Sequence, residues 1–166
     1  MANVNRYRRG PRTLVQVPVE SATEIDKGEL VCISSGYGVL PSTLTNEAAG
    51  HATAAAAKNA VANALIGVAE TATASGETED ILVDVSLEAI YEFDQTTAAD
   101  ISFGDLIEID AASTAEASFT AVDTTIVAGS TDQIAVCVKE HTTEEGKGTL
   151  IKFLPQSIFN DVSGQG

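Results

Sequence analysis

The chain has 166 residues, 44% of them hydrophobic, no Trp and a formal net charge of -15, which suits one domain with a thin core of small aliphatic side chains. So acidic a body repels nucleic-acid phosphates, no apolar run reaches the roughly 18–20 residues that span a bilayer, and the polar, basic N-terminus lacks the hydrophobic stretch of a signal peptide. The expectation is a soluble protein with no nucleic-acid and no membrane partner, its Cys32 and Cys137 buried as reduced thiols inside apolar runs.

Residues 1–13 read as an extended basic arm. Arg6, Arg8, Arg9 and Arg12 are four of the nine basic residues, and no acid accompanies them, which leaves five basic against 24 acidic residues in the remainder. A cationic arm on an anionic body is expected to dock on an acidic surface of a partner, helped by Tyr7, because Tyr and Arg are favoured at interfaces. A disordered, solubilising terminus is the plain alternative. Gly10 lets the arm bend and Pro11 stiffens it.

Residues 13–19, Thr-Leu-Val-Gln-Val-Pro-Val, alternate as a strand. Pro18 has no N–H to give a ladder, so this strand lies at a sheet edge or ends there. Its apolar residues Leu14, Val15 and Val17 join the arm as candidate binding residues and, with the thin core, suggest self-association. Residues 29–34 form a second strand, opened by Asp26-Lys27-Gly28 and closed by Ser35-Gly36-Tyr37-Gly38. Residues 65–69, 81–87, 89–93, 105–109, 125–127, 134–140 and 149–154 read likewise. Between them, residues 46–64 are Ala-rich, with Asn46 or Thr45 available as an N-cap. A short helix over 52–63 is expected there, a small-residue loop being the competitor. The pattern predicts an all-β chain: one compact β-sandwich or β-barrel domain over 14–154, with an N-terminal arm and a C-terminal tail at 155–166.

An internal repeat is visible. Lys27-Gly28-Glu29-Leu30-Val31-Cys32-Ile33 recurs as Phe103-Gly104-Asp105-Leu106-Ile107-Glu108-Ile109. Later in each half, residues 66–70 before Gly76 and a strand at Ile81 match residues 136–140 before Gly146 and a strand at Leu150.

The chain carries no catalytic constellation. His51 and His141 have no zinc-type spacing to Cys or to each other. Neither a Gly-x-Ser-x-Gly elbow nor a phosphate-binding loop occurs. The acids Glu77, Glu79 and Asp80, like Glu144 and Glu145, lack the alternation of a calcium loop and read as solvated hairpin tips. Asp105, Glu108 and Asp110 mark the ends and wet side of a strand. No catalytic residue, metal or cofactor is expected, and the chain reads as a non-enzyme.

At the repeated segments the sequence resembles a family of bacteriophage capsid decoration, or cement, proteins. The resembling features are Gly28-Glu29-Leu30-Val31 with Gly36-Tyr37-Gly38-Val39, Ile66-Gly67-Val68-Ala69-Glu70-Thr71-Ala72, Glu88-Ala89-Ile90-Tyr91-Glu92-Phe93, and Phe103-Gly104-Asp105-Leu106-Ile107. In order they span residues 15–154, and residues 88–93 depart most from the family's form. The resemblance implies a compact β fold on the outer surface of a phage head, in the virion after passage through the host cytoplasm. It also implies the major capsid protein as partner and a homo-oligomer, a homotrimer in preference to a dimer. Arg6, Tyr7, Arg8, Arg9, Arg12, Leu14, Val15 and Val17 would then be the capsid- or subunit-binding residues. The rival from another class is a β-sandwich adhesive module for carbohydrate or receptor recognition, disfavoured by the lack of Trp and the presence of only three tyrosines.

Overall fold

A computed structural model describes residues 6–47, 54–94, 102–109, 122–123, 133–139 and 148–153. Eleven strands and two helices follow in order: β1 (Arg6–Arg9), β2 (Leu14–Val17), β3 (Leu30–Ser34), β4 (Tyr37–Val39), α1 (Pro41–Glu47), α2 (Ala54–Ala64), β5 (Leu65–Ala69), β6 (Ile81–Asp84), β7 (Ile90–Asp94), β8 (Leu106–Ile109), β9 (Val122–Asp123), β10 (Gln133–Cys137) and β11 (Gly148–Phe153). The chain is mostly β, and among the described residues the pairings between these strands are all antiparallel. The Ala-rich helix forms. The first helix, opened by Pro41 at a position where no N–H is needed, lies where no element was expected. The strand expected at 125–127, the tail at 155–166, and both histidines fall outside the described residues.

One sheet has the order β2-β6-β5-β3-β4, and the other β1-β7-β11-β10-β8-β9. Apart from β1, the second sheet repeats the first strand for strand. β2 corresponds to β7, β3 to β8, β4 to β9, β5 to β10 and β6 to β11. The registers repeat as well: Leu30 pairs Val68, Val31 pairs Gly67 and Cys32 pairs Leu65, just as Leu106 pairs Val136, Ile107 pairs Ala135 and Glu108 pairs Gln133, with a bulge at the same place.

The turns that open β3 and β8 match in detail. Gly28 and Gly104 take φ of 91° and 90°, a region open to glycine at little cost. Gly28 N donates to Ala69 O (2.7 Å) and Ala69 N to Glu29 O (2.8 Å); Gly104 N donates to Cys137 O (2.9 Å) and Cys137 N to Asp105 O (2.8 Å). Each turn is closed by its acid, Glu29 accepting from Asp26 N and Asp105 from Ser102 N, both at 2.7 Å.

These bonds correct the repeat read from sequence. Ala69 corresponds to Cys137 rather than Lys139, so the second pair of matched segments slides by two residues. A slip of two leaves every side chain on its own face, so hydrophobic pattern alone could not register it. The two helices, α1 and α2, lie between β4 and β5 of the first half.

The core is aliphatic, as composition requires. Ile25, Val31, Val61, Val83, Ile107, Ile134 and Ile151 are fully buried, and Tyr91 is the one buried aromatic among the described residues. Cys32 and Cys137 are buried and unbridged, and burial pushes the Cys32 thiol well above its ordinary range.

β1–β2 and β6–β7 together form one long antiparallel ribbon that passes from sheet to sheet. Arg6 faces Glu92 and Tyr7 faces Tyr91 in the second sheet; Leu14 faces Asp84 and Val17 faces Ile81 in the first. Between them Val85 N donates to Thr13 O (2.8 Å). Residues 6–17 are thus the outer strand of the ribbon, an edge running past both sheets.

Candidate functional site: the edge at residues 6–17

All eight candidate binding residues lie on this edge, and the structure divides them by role. Arg12 turns inward. Its Nε donates to Asp84 Oδ2 (3.0 Å) and its terminal nitrogen to Glu70 Oε2, while its guanidinium carbon lies 4.7 Å from the centre of the Tyr7 ring. Lys27 Nζ completes the cluster on Glu70 Oε1 (2.7 Å).

Asp84 is the hub. Its side chain has no solvent exposure, so its charge must be met by protein groups. Oδ1 accepts from Thr13 N (3.1 Å) and Ser86 N (3.0 Å); Oδ2 accepts from Arg12 and from the Tyr91 hydroxyl (2.5 Å). Four donors fill the four acceptor positions of a carboxylate. The hydrogen bond to Glu70 chiefly, against the cost of burial, raises the Arg12 pKa further above its ordinary value. Burial and then Asp84 push the Tyr91 hydroxyl far above the ordinary tyrosine range. Burial alone would raise Glu70, but the hydrogen bonds from Arg12 and Lys27 outweigh it and hold the carboxyl below its usual range.

The crossing of the ribbon is built around this hub. Gly10 takes φ 108°, and a Cβ there would collide with Glu88 O. Ser86 Oγ donates to Pro11 O (2.7 Å) and accepts from Glu88 N (3.1 Å). Tyr7 donates to Gly10 O (2.6 Å) and meets Tyr91 edge-on, ring centres 6.0 Å apart.

Over residues 6–13 this departs from the expectation of a separate arm at 1–13, of which residues 1–5 lie outside the described residues. Residues 6–9 are a strand of the second sheet, and Arg8 pairs with Glu92 of its neighbour strand. The physical reason is proximity: an acidic body tethered to a basic segment supplies its own carboxylates at high effective concentration. Arg12 is consequently engaged by carboxylates of its own chain, and Val17 is buried in the core. Sequence reasoning missed Asp84, although a lone acid inside the apolar run Ile-Leu-Val-Asp-Val is the signal of a buried carboxylate that needs a cation.

Among the described residues no strand pairs with the outer side of this edge. Arg8 and Arg9 are exposed, and Tyr7 (40%), Leu14 (45%) and Val15 (37%) are three of the five large hydrophobic residues left exposed among the described residues. The others are Tyr37 and Phe103. Tyr37 borders a shallow cleft with Pro18, Glu20 and Thr78, a lone aromatic without a stacking platform. Among the described residues no group of three or more His, Cys, Asp or Glu could hold a metal ion, and no helix is long and apolar enough to cross a membrane. Glu77, Glu79 and Asp80 are exposed, and Glu77 closes a turn by accepting from Ala74 N (3.0 Å).

No protein-family model and no curated protein matches the chain.

Proposed function

We propose that this chain is a structural virion protein, a decoration protein that binds the outer surface of a phage capsid and stabilises the shell without catalysing a reaction. The observation that carries the reading is the edge at residues 6–17, where Tyr7, Arg8 and Arg9 are exposed on a strand whose outer side has no partner strand among the described residues. Exposed arginines and a tyrosine bind an acidic surface through their side chains, by charge-assisted hydrogen bonds and burial of the ring. The partner is the major capsid protein, through an acidic strip complementary to Arg8 and Arg9. The strongly acidic body remains outward, where it keeps many copies on one shell from aggregating.

Undecorated shells assembled from the major capsid protein of the genome that carries this gene supply the test. The protein should cosediment with them, and R8E/R9E, which leaves Arg12 and its partners in place, should weaken binding at least tenfold at low salt. Wild-type protein that fails to bind such shells, or a double variant that binds unchanged, overturns the reading; binding to a glycan panel instead supports the adhesive module.

A further inference from the structure

The two halves of the ribbon edge are guarded differently. Over β1 the outer strand carries Arg6, Arg8 and Arg9 and a bulge between Tyr7 and Arg9, the devices by which sheet edges avoid unintended pairing. Over β2 it reads Leu-Val-Gln-Val, with no charge and no bulge, and among the described residues no strand pairs with its outer side. The corresponding strand of the second half, β7, has both sides filled, by β11 and β1. The first sheet therefore ends on a neutral, partly apolar strand that its repeat covers.

We infer that the outer side of β2 pairs with β2 of a second copy, antiparallel about a twofold axis through Val15. The main-chain alternation sets the register. Val85 N donates to Thr13 O, so Thr13, Val15 and Val17 direct their main-chain groups to β6, and Leu14 and Gln16 direct theirs outward. Antiparallel pairing that uses both outward residues sets Leu14 opposite Gln16 of the partner subunit. Val15 then faces its own copy in a close, non-hydrogen-bonded pair. Pro18 lacks the next outward N–H and ends the ladder there.

A second copy suits this strand because an uncharged edge offers nothing to a charged partner strand and nothing that repels itself. The cost comes from the bodies, each at -15. Salt screens that repulsion, so association tightens as salt rises, opposite to an interface held by ion pairs. The twofold favours a dimer where the family resemblance favours a trimer. It stands independently of shell binding, since it concerns the isolated protein.

Cysteine scanning tests it. A non-hydrogen-bonded antiparallel pair holds its Cα atoms about 4.5 Å apart, within disulfide range, whereas two copies of residue 14 or of residue 16 lie diagonally, at about 7–8 Å. V15C should form a covalent dimer under mild oxidation at least tenfold more completely than L14C or Q16C, and wild-type sedimentation should shift to the dimer as salt increases. Q16P, which removes only an outward N–H, and V15K, which sets two cations face to face, should each return the protein to monomer with an unchanged circular dichroism spectrum. A wild-type protein monomeric at all salt concentrations, or V15C crosslinking no better than L14C, overturns the inference.

Discussion

A carboxylate without solvent exposure needs protein donors in place of water, and Asp84 has four of them. Removing one donor leaves the charge partly unmet, so cost should rise with the charge of the group removed. Y91F, which loses a hydrogen bond to a charged acceptor, is expected to cost about 2 kcal/mol. R12M leaves Asp84 without its cation and Glu70 with Lys27 alone, and should cost about 3–5 kcal/mol; urea unfolding of the two variants would read the order. Glu70 carries a pH signature of its own. Its carboxyl is held below the ordinary range by Arg12 and Lys27, so its contribution is present above the unfolded-state value and lost as pH falls through the folded one. E70Q should therefore be less stable than wild type at neutral pH and converge with it in acid, and a pH series of thermal melts would show the gap closing. Arg12 illustrates what sequence conceals. Its charge was evident, but the partner lies 72 positions away at Asp84, and only the fold brings them together.

At the scale of elements, strands with alternating aliphatic residues were legible because that pattern reports one buried face: β3, β5, β8 and β11 lie within a residue or two of the expected spans. β1 was not legible, since three arginines among its four residues hide a strand whose pairing is made by the main chain. α1 was missed because Pro-Ser-Thr-Leu-Thr-Asn-Glu shows no apolar period. The turn after β3 was expected to extend through residue 38, but Ser35 and Gly36 alone make it, with φ of 50° and 88°, and β4 starts at Tyr37. Such a two-residue turn with both φ positive suits the twist of the strands it joins. The contrast between Gly36 and Gly10 yields a prediction. Both have positive φ, yet a Cβ at Gly36 meets nothing within 4 Å while one at Gly10 meets the main chain of Glu88 and Ala89. G36A should cost about 1 kcal/mol of backbone strain, and G10A should cost more and disturb the crossing; their melting temperatures measured side by side would decide it.

For the whole molecule, the duplicated sheets could have been two independent units, and the ribbon, together with one hydrophobic cluster that takes in buried residues of both, makes them one. Half of each long strand belongs to each sheet, and the hub at Asp84 is assembled from residues of β6, β7 and the segment between β1 and β2. The repeat itself was partly visible in sequence through its turns, Gly28-Glu29 and Gly104-Asp105. The joining ribbon was not, because nothing local in residues 6–17 announces a partner at 81–92. A detachable arm would be removable without effect on the fold. The ribbon gives the opposite expectation for a chain lacking residues 1–12. Such a deletion removes β1, exposes the outer side of β7, and takes away the guanidinium that neutralises a fully buried carboxylate. Stranding that charge alone costs about 3–5 kcal/mol, a large share of the ~5–15 kcal/mol that holds a domain together. For a chain of this size the melting temperature should fall by on the order of 10 °C. Adding D84N, which neutralises the stranded carboxylate at nearly the same volume, should recover part of the loss in the deleted chain, whereas in the full-length chain it should destabilise. Thermal melts of these three variants beside wild type test it, and a deleted chain that melts with wild type would return residues 6–12 to the status of a free arm.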